Sequence, residues 1–266
     1  MYRRLSKRIA AGVLQGSTAV KPPIKHRKDL LTDLIQLHRD RPEFCETYLR
    51  RMAVTNFGAG HETLCAALTS ILAMVGSHAH VRRRVCDEIR RATSPGGSIP
   101  YDEAVGLRYT QACIKEAQRL YPVIAMSLAR KVTGSGVVMH GVYIPAGTTI
   151  GCNPVSLHRN AAIFGIDADQ YFPERWLCEN DDAKLRDMER FNLTWGGGGR
   201  TCPGRHLAEM LLHKIVPALM GAFDVEIVTM PTDDDMKTYF MSMLTGVRVR
   251  FLPSDRRRSA VQPSAN

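Results

Sequence analysis

The stretch TWGGGGRTCPG, residues 194–204, sets four consecutive glycines between Trp195 and Arg200 and then places Cys202 ahead of Pro203 and Gly204. Glycine loses more conformational freedom on folding than any other residue and packs no side chain, so such a run marks a place where something approaches the backbone closely. Three chemistries compete for the loop. As a phosphate loop, residues 199–206 have the two-glycine spacing of GxxxxGK[ST], but Arg205 and His206 stand where a lysine and a hydroxyl are required. As a zinc site, Cys202 and His206 lie four apart, and no second pair at ligand spacing accompanies them. As a core cysteine, Cys202 would need neither the glycines nor Arg200.

A thiolate metal ligand accounts for more of the pattern. A cysteine just ahead of a helix N-terminus faces backbone N–H groups and the positive end of the helix dipole, and both favour S⁻ over SH. Glycines let a flat cofactor lie against the loop, the Trp195 indole can shield the sulfur, and Arg200 can pair with carboxylates on the cofactor edge. A flat cofactor that carries acid groups and an iron accepting one thiolate is haem.

The rest of the chain bounds this reading. With 266 residues, 44% of them hydrophobic, a core of ordinary size can form. The net charge of +10 is scattered in short clusters without a nucleic-acid module, so it reads as a solvated basic surface and no nucleic-acid partner is expected. Seven cysteines without CxxC or regular spacing argue against a disulfide framework or a zinc ribbon. The apolar run at 64–75 contains Thr69 and Ser70 and reads as a buried helix, leaving no transmembrane segment.

Helical patterns fill the first half. Leu30, Leu31, Leu34, Ile35 and Leu37 form one stripe, and residues 41–78 read as one long helix, or two joined near Pro42, buried in its second part. Val81, Val85 and Ile89 recur at i, i+4, i+8 in a half-buried helix stopped by SPGG at 94–97. Asp102 is expected to cap a helix reaching about Tyr121, ended by Pro122. Residues 137–150 are rich in β-branched types with Gly141 and a PAG turn, which predicts one or two hairpins. A loop-rich stretch then leads to a helix from about Pro203 to Ala222, a terminal strand pair in FDVEIV and GVRVRFLP, and a polar tail from 253 to 266. The class is mainly α with small β-sheets, α+β.

Trp195, Gly198, Arg200, Cys202 and Gly204 stand in the order aromatic-x-x-Gly-x-Arg-x-Cys-x-Gly, which resembles the haem-binding signature of the cytochrome P450 monooxygenases, with Trp where Phe is more usual. The resemblance implies haem b held by Cys202 as the axial iron ligand and Arg200 as a propionate partner. Three further motifs follow the family's pattern. EAQR at 116–119 and FPERW at 172–176 resemble its buried Glu-Arg-Arg triad, here Glu116, Arg119 and Arg175; taken alone, Glu116 and Arg119 are an ordinary i,i+3 ion pair. AGHET at 59–63 puts Gly60, a buried acid Glu62 and Thr63 inside a helix, where Gly60 costs about 1 kcal/mol against Ala. By resemblance this segment crosses the distal face of the haem, Thr63 orienting the reacting oxygen and Glu62 relaying protons. Arg130 resembles a second propionate-binding arginine, residues 123–127 would line the substrate pocket, and His158 in LHRN is either a core histidine or a cofactor contact.

The resemblance therefore implies a truncated cytochrome P450 fold, with residues 1–252 as the C-terminal portion of the haem domain. It implies a monooxygenase that takes electrons from an NADPH-dependent cytochrome P450 reductase and inserts one atom of O2 into a small hydrophobic substrate. Segments 27–40 and 173–177 resemble fungal relatives in secondary-metabolite biosynthesis, and the family implies association with the endoplasmic reticulum membrane. The alternative expectation is a catalytically inactive relic or incomplete gene product with at most weak haem binding.

Overall fold

Apolar spacing sets the helices. The structure is a computed structural model that describes residues 6–7, 9–10, 29–93, 99–177, 182–232 and 236–254. The turn at 94–97, Cys178 and the polar tail beyond 254 lie outside the described residues. The chain divides into two compact units, Met1–Glu62 and Thr63–Asn266.

In the first unit, α1 (Leu30–Asp40) starts at Asp29, whose carboxylate accepts from the Thr32 amide at 2.9 Å. Helix α2 (Glu46–Ser77) begins after a break at 41–45 that contains Pro42, so the chain makes two helices here. Leu34, Ile35, Leu49 and Ala53 bury together, with Leu31 and Phe44 packed against them. Among the described residues α2 is the one helix long and apolar enough to cross a membrane by length and composition. Its two ends are core-forming, Leu49 and Ala53 in the first unit and Ile71, Met74 and Val75 in the second.

The core of the second unit joins these last residues to α3 (Ala79–Ala92), whose Val81, Val85 and Ile89 are all buried, as their spacing requires. Where one helix was expected from Asp102 to Tyr121 there are two, α4 (Tyr101–Val105) and α5 (Arg108–Leu120), and Asp102 lies inside the first turn of α4 rather than capping it. The second start has a physical cause. Glu88 on α3 caps α5 from a distance, accepting from the Tyr109 amide (2.9 Å), the Thr110 amide (2.8 Å) and the Thr110 hydroxyl (2.7 Å). Ile114 and Ala117 of α5 then complete the core, each buried aliphatic side chain contributing about 1.5–3 kcal/mol.

Eight short strands form four two-stranded antiparallel sheets among the described residues. β1 (Arg130–Lys131) pairs with β4 (Thr149–Ile150), and β2 (Val137–Met139) with β3 (Val142–Ile144). The β2–β3 turn uses His140 and Gly141, both at positive φ (48° and 79°), the requirement of a type I′ hairpin. β5 (Phe223–Thr229) pairs with β8 (Arg248–Pro253), the expected terminal pair, while β6 (Met236–Thr238) and β7 (Ser242–Leu244) form a hairpin the sequence did not announce. The stretch read as loop holds α6 (Pro154–His158), α7 (Ala161–Phe164), a 3-10 turn (Pro173–Leu177) and α8 (Asp182–Phe191). Asn153 and Asn160 cap the two short helices by accepting from backbone amides one turn in. Helix α9 (Arg205–Ala222) starts after Pro203, with Gly204 at its N-cap, so Pro203 precedes the first turn instead of occupying it. The architecture is mainly α with small sheets, the α+β class.

Candidate functional site

Glu116 and Arg119 share one face of α5 because they are one turn apart, and the 3-10 turn brings Arg175 to the same carboxylate. Glu116 is wholly buried and accepts five hydrogen bonds. Its Oε1 takes Arg119 Nη2 (2.8 Å), Arg175 Nε (2.9 Å) and the Phe172 amide (3.1 Å). Its Oε2 takes Arg119 Nε (2.9 Å) and Trp176 Nε1 (2.8 Å). The outer guanidinium nitrogens hold the following segment: Arg119 donates to the carbonyls of His158, Ala168 (2.6 Å) and Gln170 (3.2 Å). Arg175 donates to the carbonyls of Phe164 and Asp167 and to the Asp167 carboxylate (3.1 Å). Two arginines against Glu116 and Asp167 balance to zero, which is what makes burial of these charges tolerable.

His158 resolves to a core histidine. It is 0% exposed, its Nδ1 lies 2.9 Å from the Arg119 carbonyl, and its Nε2 accepts from the Leu193 amide at 2.7 Å. An amide can only donate, so the ring is neutral with its proton on Nδ1. Burial, the largest influence, pulls its pKa down to about 4.

Leu193 opens the cysteine loop. The Gly196 amide donates to the Leu193 carbonyl (2.9 Å), and the Cys202 amide closes the loop on the Trp195 carbonyl (2.8 Å). Two of the four glycines are demanded by the backbone: Gly196 has φ +76° and Gly198 φ +59°, a region that favours glycine. Gly199 is different, since a Cβ built on it, as on Gly198, meets nothing within 4 Å. That face is open, and Cys202, Arg200 and Gly204 are exposed beside it in sequence. Arg200 makes no ion pair among the described residues, and neither does Arg130, whose side chain donates only to the neighbouring Ala129 carbonyl (3.0 Å) and is not joined to the loop.

The α2 segment is a second open surface. Residues 54–62 are exposed without interruption, and Cβ atoms on Gly58 and Gly60 would meet nothing within 4 Å. Glu62 is therefore exposed, against the expectation of a buried acid, because no side chain among the described residues covers this part of the helix; Thr63 is half-buried. Phe57 and His61 stack one turn apart, with ring centroids 5.8 Å apart. A surface cavity of about 330 Å³ lined by Arg84, Glu88, Arg91, Arg108, Tyr109 and Leu177 includes none of these residues.

The donor set fits haem. Among the described residues no group of three or more His, Cys, Asp or Glu could hold a metal ion. Cys202 thus offers one sulfur, and an iron there needs its remaining ligands from a group that brings them. The open glycine face and the unpaired Arg200 supply room and a cation for the acid edge of such a group. Trp176 and Asp167, which complete the triad's hydrogen bonds, and Glu88, which starts α5, were not anticipated. Trp176 follows the motif arginine directly and was visible; Glu88 acts from 21 residues away and had no local signal.

A sequence profile described as Cytochrome P450 matches residues 4–250. The cytochrome P450 monooxygenase sdnT of Sordaria araneosa is 56% identical over 274 residues, covering 95% of this chain and 49% of that protein. The cytochrome P450 monooxygenase mpaDE of Penicillium roqueforti is 32% identical and covers 78% of this chain and 25% of its own length. Pisatin demethylase of Fusarium vanettenii is 34% identical over 172 residues, 65% of this chain and 32% of that protein. The chain spans about half the length, or less, of the curated relatives it matches.

Proposed function

Since the chain belongs to the cytochrome P450 family, we propose that it holds haem b through the Cys202 thiolate and serves as the haem-ligating part of a monooxygenase. The reaction inserts one atom of O2 into a small hydrophobic substrate, while the other leaves as water with two protons taken from solvent and two electrons that an NADPH-dependent cytochrome P450 reductase supplies. The fungal cytochrome P450 monooxygenases among its relatives support a place in secondary-metabolite biosynthesis, and association with the endoplasmic reticulum membrane is carried over from the family resemblance alone.

The observation that carries this reading is Cys202: exposed, just ahead of α9, at the end of a loop whose glycines leave an open face, and in no group of three or more His, Cys, Asp or Glu side chains among the described residues. When bound, haem supplies O2 activation, which no side chain can provide. The residues of the chain do the rest. Arg200 and Arg130 each bring a cation for the propionates, Trp195 closes the cysteine's turn by accepting from the Cys202 amide, and Gly204 caps α9 just behind it. On α2, the Thr63 hydroxyl orients the reacting oxygen by hydrogen bonding, and the exposed Glu62 carboxylate passes protons from solvent. The triad of Glu116, Arg119 and Arg175 is buried and mutually paired, which suits a structural role.

One observation favours the second reading, an inactive relic with weak haem binding. Residues 198–207 are exposed, so water reaches the face of the cysteine loop that haem would need dry. Titration of the purified chain with haem, followed by absorbance, separates the two readings. One saturable site that weakens at least tenfold in Cys202→Ser supports the monooxygenase reading, and linear uptake indifferent to Cys202 supports the relic.

A further inference from the structure

We propose that His158 is the positioning residue of the cysteine loop: it carries the placement of the buried Glu116–Arg119–Arg175 cluster to Cys202 by holding the Leu193 amide. The inference rests on the reading of Cys202 as an iron ligand for its functional meaning and on geometry for its substance.

The two partners are tied to each other in both directions. Arg119 Nη1 donates to the His158 carbonyl, and the His158 ring returns a hydrogen bond from Nδ1 to the Arg119 carbonyl (2.9 Å). The end of α5 and the end of α6 are thereby fixed together. Asn153 and Pro154 set this end, since Asn153 caps α6 by accepting from the Val155 (2.8 Å) and Ser156 amides, and five residues later the helix finishes at His158. Phe164 packs edge-on against the ring, with centroids 6.1 Å apart, and both side chains are wholly buried, so the ring is held by close packing as well as by its hydrogen bonds.

From the ring outward there is one polar exit. Nε2 accepts the Leu193 amide (2.7 Å), Leu193 accepts the Gly196 amide (2.9 Å), and Trp195 accepts the Cys202 amide (2.8 Å). The loop carries two glycines at positive φ, so its backbone has little stiffness of its own and takes its position from its anchor. A histidine suits the task because two nitrogens on opposite sides of one rigid ring can donate to one element and accept from another.

The test separates the two nitrogens. In His158→Gln the amide oxygen can reach the place of Nε2 and accept from Leu193 while the Nδ1 contact is lost. In His158→Asn the amide nitrogen can reach the place of Nδ1 and donate to Arg119 while Leu193 is left without an acceptor. Amide hydrogen exchange of Leu193, Cys202 and the core residue Ile114 is followed by NMR in the full chain without haem. The expected result is exchange at Leu193 and Cys202 about tenfold faster in His158→Asn, near wild type in His158→Gln, and unchanged at Ile114 in both. Unchanged Cys202 exchange in His158→Asn overturns the proposal. So does equal acceleration at Ile114, which would reduce His158 to general core packing. The haem-loaded variants give the functional readout: a thiolate-type reduced carbon-monoxide band kept in His158→Gln and lost in His158→Asn. A wild-type chain that binds no haem removes the reading of Cys202 while the exchange result still decides the role of His158.

Discussion

Replacing Glu116 with Gln keeps the shape of the side chain and removes its charge. Wild-type Oε1 serves three donors and Oε2 serves two, all buried. Whichever way the new amide turns, its nitrogen faces at least two donors that have lost their acceptor, and an orphaned buried donor costs about 1–3 kcal/mol. The two arginines also lose half of the opposing charge, Asp167 being left as their remaining acid. Breaking a buried ion pair in this way costs about 3–5 kcal/mol. The expected loss is therefore about 4 kcal/mol, a large share of the roughly 5–15 kcal/mol that holds a domain together. In urea, at an m value of about 2 kcal/mol/M, the midpoint should fall by about 2 M. Trp176→Phe removes the 2.8 Å bond to Oε2 together with part of a buried ring that packs against Phe164 and lies under Lys115, and should cost about 2–3 kcal/mol, less than Glu116→Gln. A loss below 1 kcal/mol in Glu116→Gln would refute the claim that this carboxylate balances the two arginines.

Three further outcomes follow from individual residues. Because the folded pKa of His158 is lowered to about 4 from 6.5, the unfolded chain takes up a proton first. Stability should accordingly fall by about 3 kcal/mol as pH drops from about 6.5 to about 4; the hydrogen bond to the Arg119 carbonyl and the Glu116 charge act against burial, the Arg119 and Arg159 charges in the same sense as it, and the slope should shrink in His158→Gln, read from urea midpoints across that range. Gly196→Ala should cost about 1–2 kcal/mol, since φ is +76° and the new Cβ would stand 3.2 Å from the Arg200 carbonyl, whereas Gly199→Ala should leave the urea midpoint of the haem-free chain unchanged and weaken haem uptake. Gly60→Ala, in open space inside α2, should stabilise the haem-free chain by up to about 1 kcal/mol, as measured by thermal unfolding.

What could be read from the sequence was whatever depends on neighbours along the chain. The Val81, Val85, Ile89 stripe, the β2–β3 hairpin with Gly141 in its turn, and the β5–β8 alternation are local patterns, and each stands in the structure as expected. The break between α4 and α5 was missed because its cause, the Glu88 carboxylate, comes from another helix. The short helices α6, α7 and α8 carry too few apolar repeats to show a period, although Asn153 and Asn160, the caps of α6 and α7, were in plain view. At the candidate site, residue types and spacing pointed to Cys202, Arg200 and the Glu116–Arg119–Arg175 group. They could not show that Glu62 is exposed, because burial depends on what covers a helix, nor that His158 joins two elements 35 residues apart.

The most direct test of the central claim is the absorption spectrum of the haem-loaded chain, reduced and bound to carbon monoxide, beside Cys202→Ser. The account predicts the red-shifted Soret band of a thiolate-ligated haem in the wild-type chain and its absence in the variant. The same band in both proteins, or none in either, would contradict Cys202 as the iron ligand.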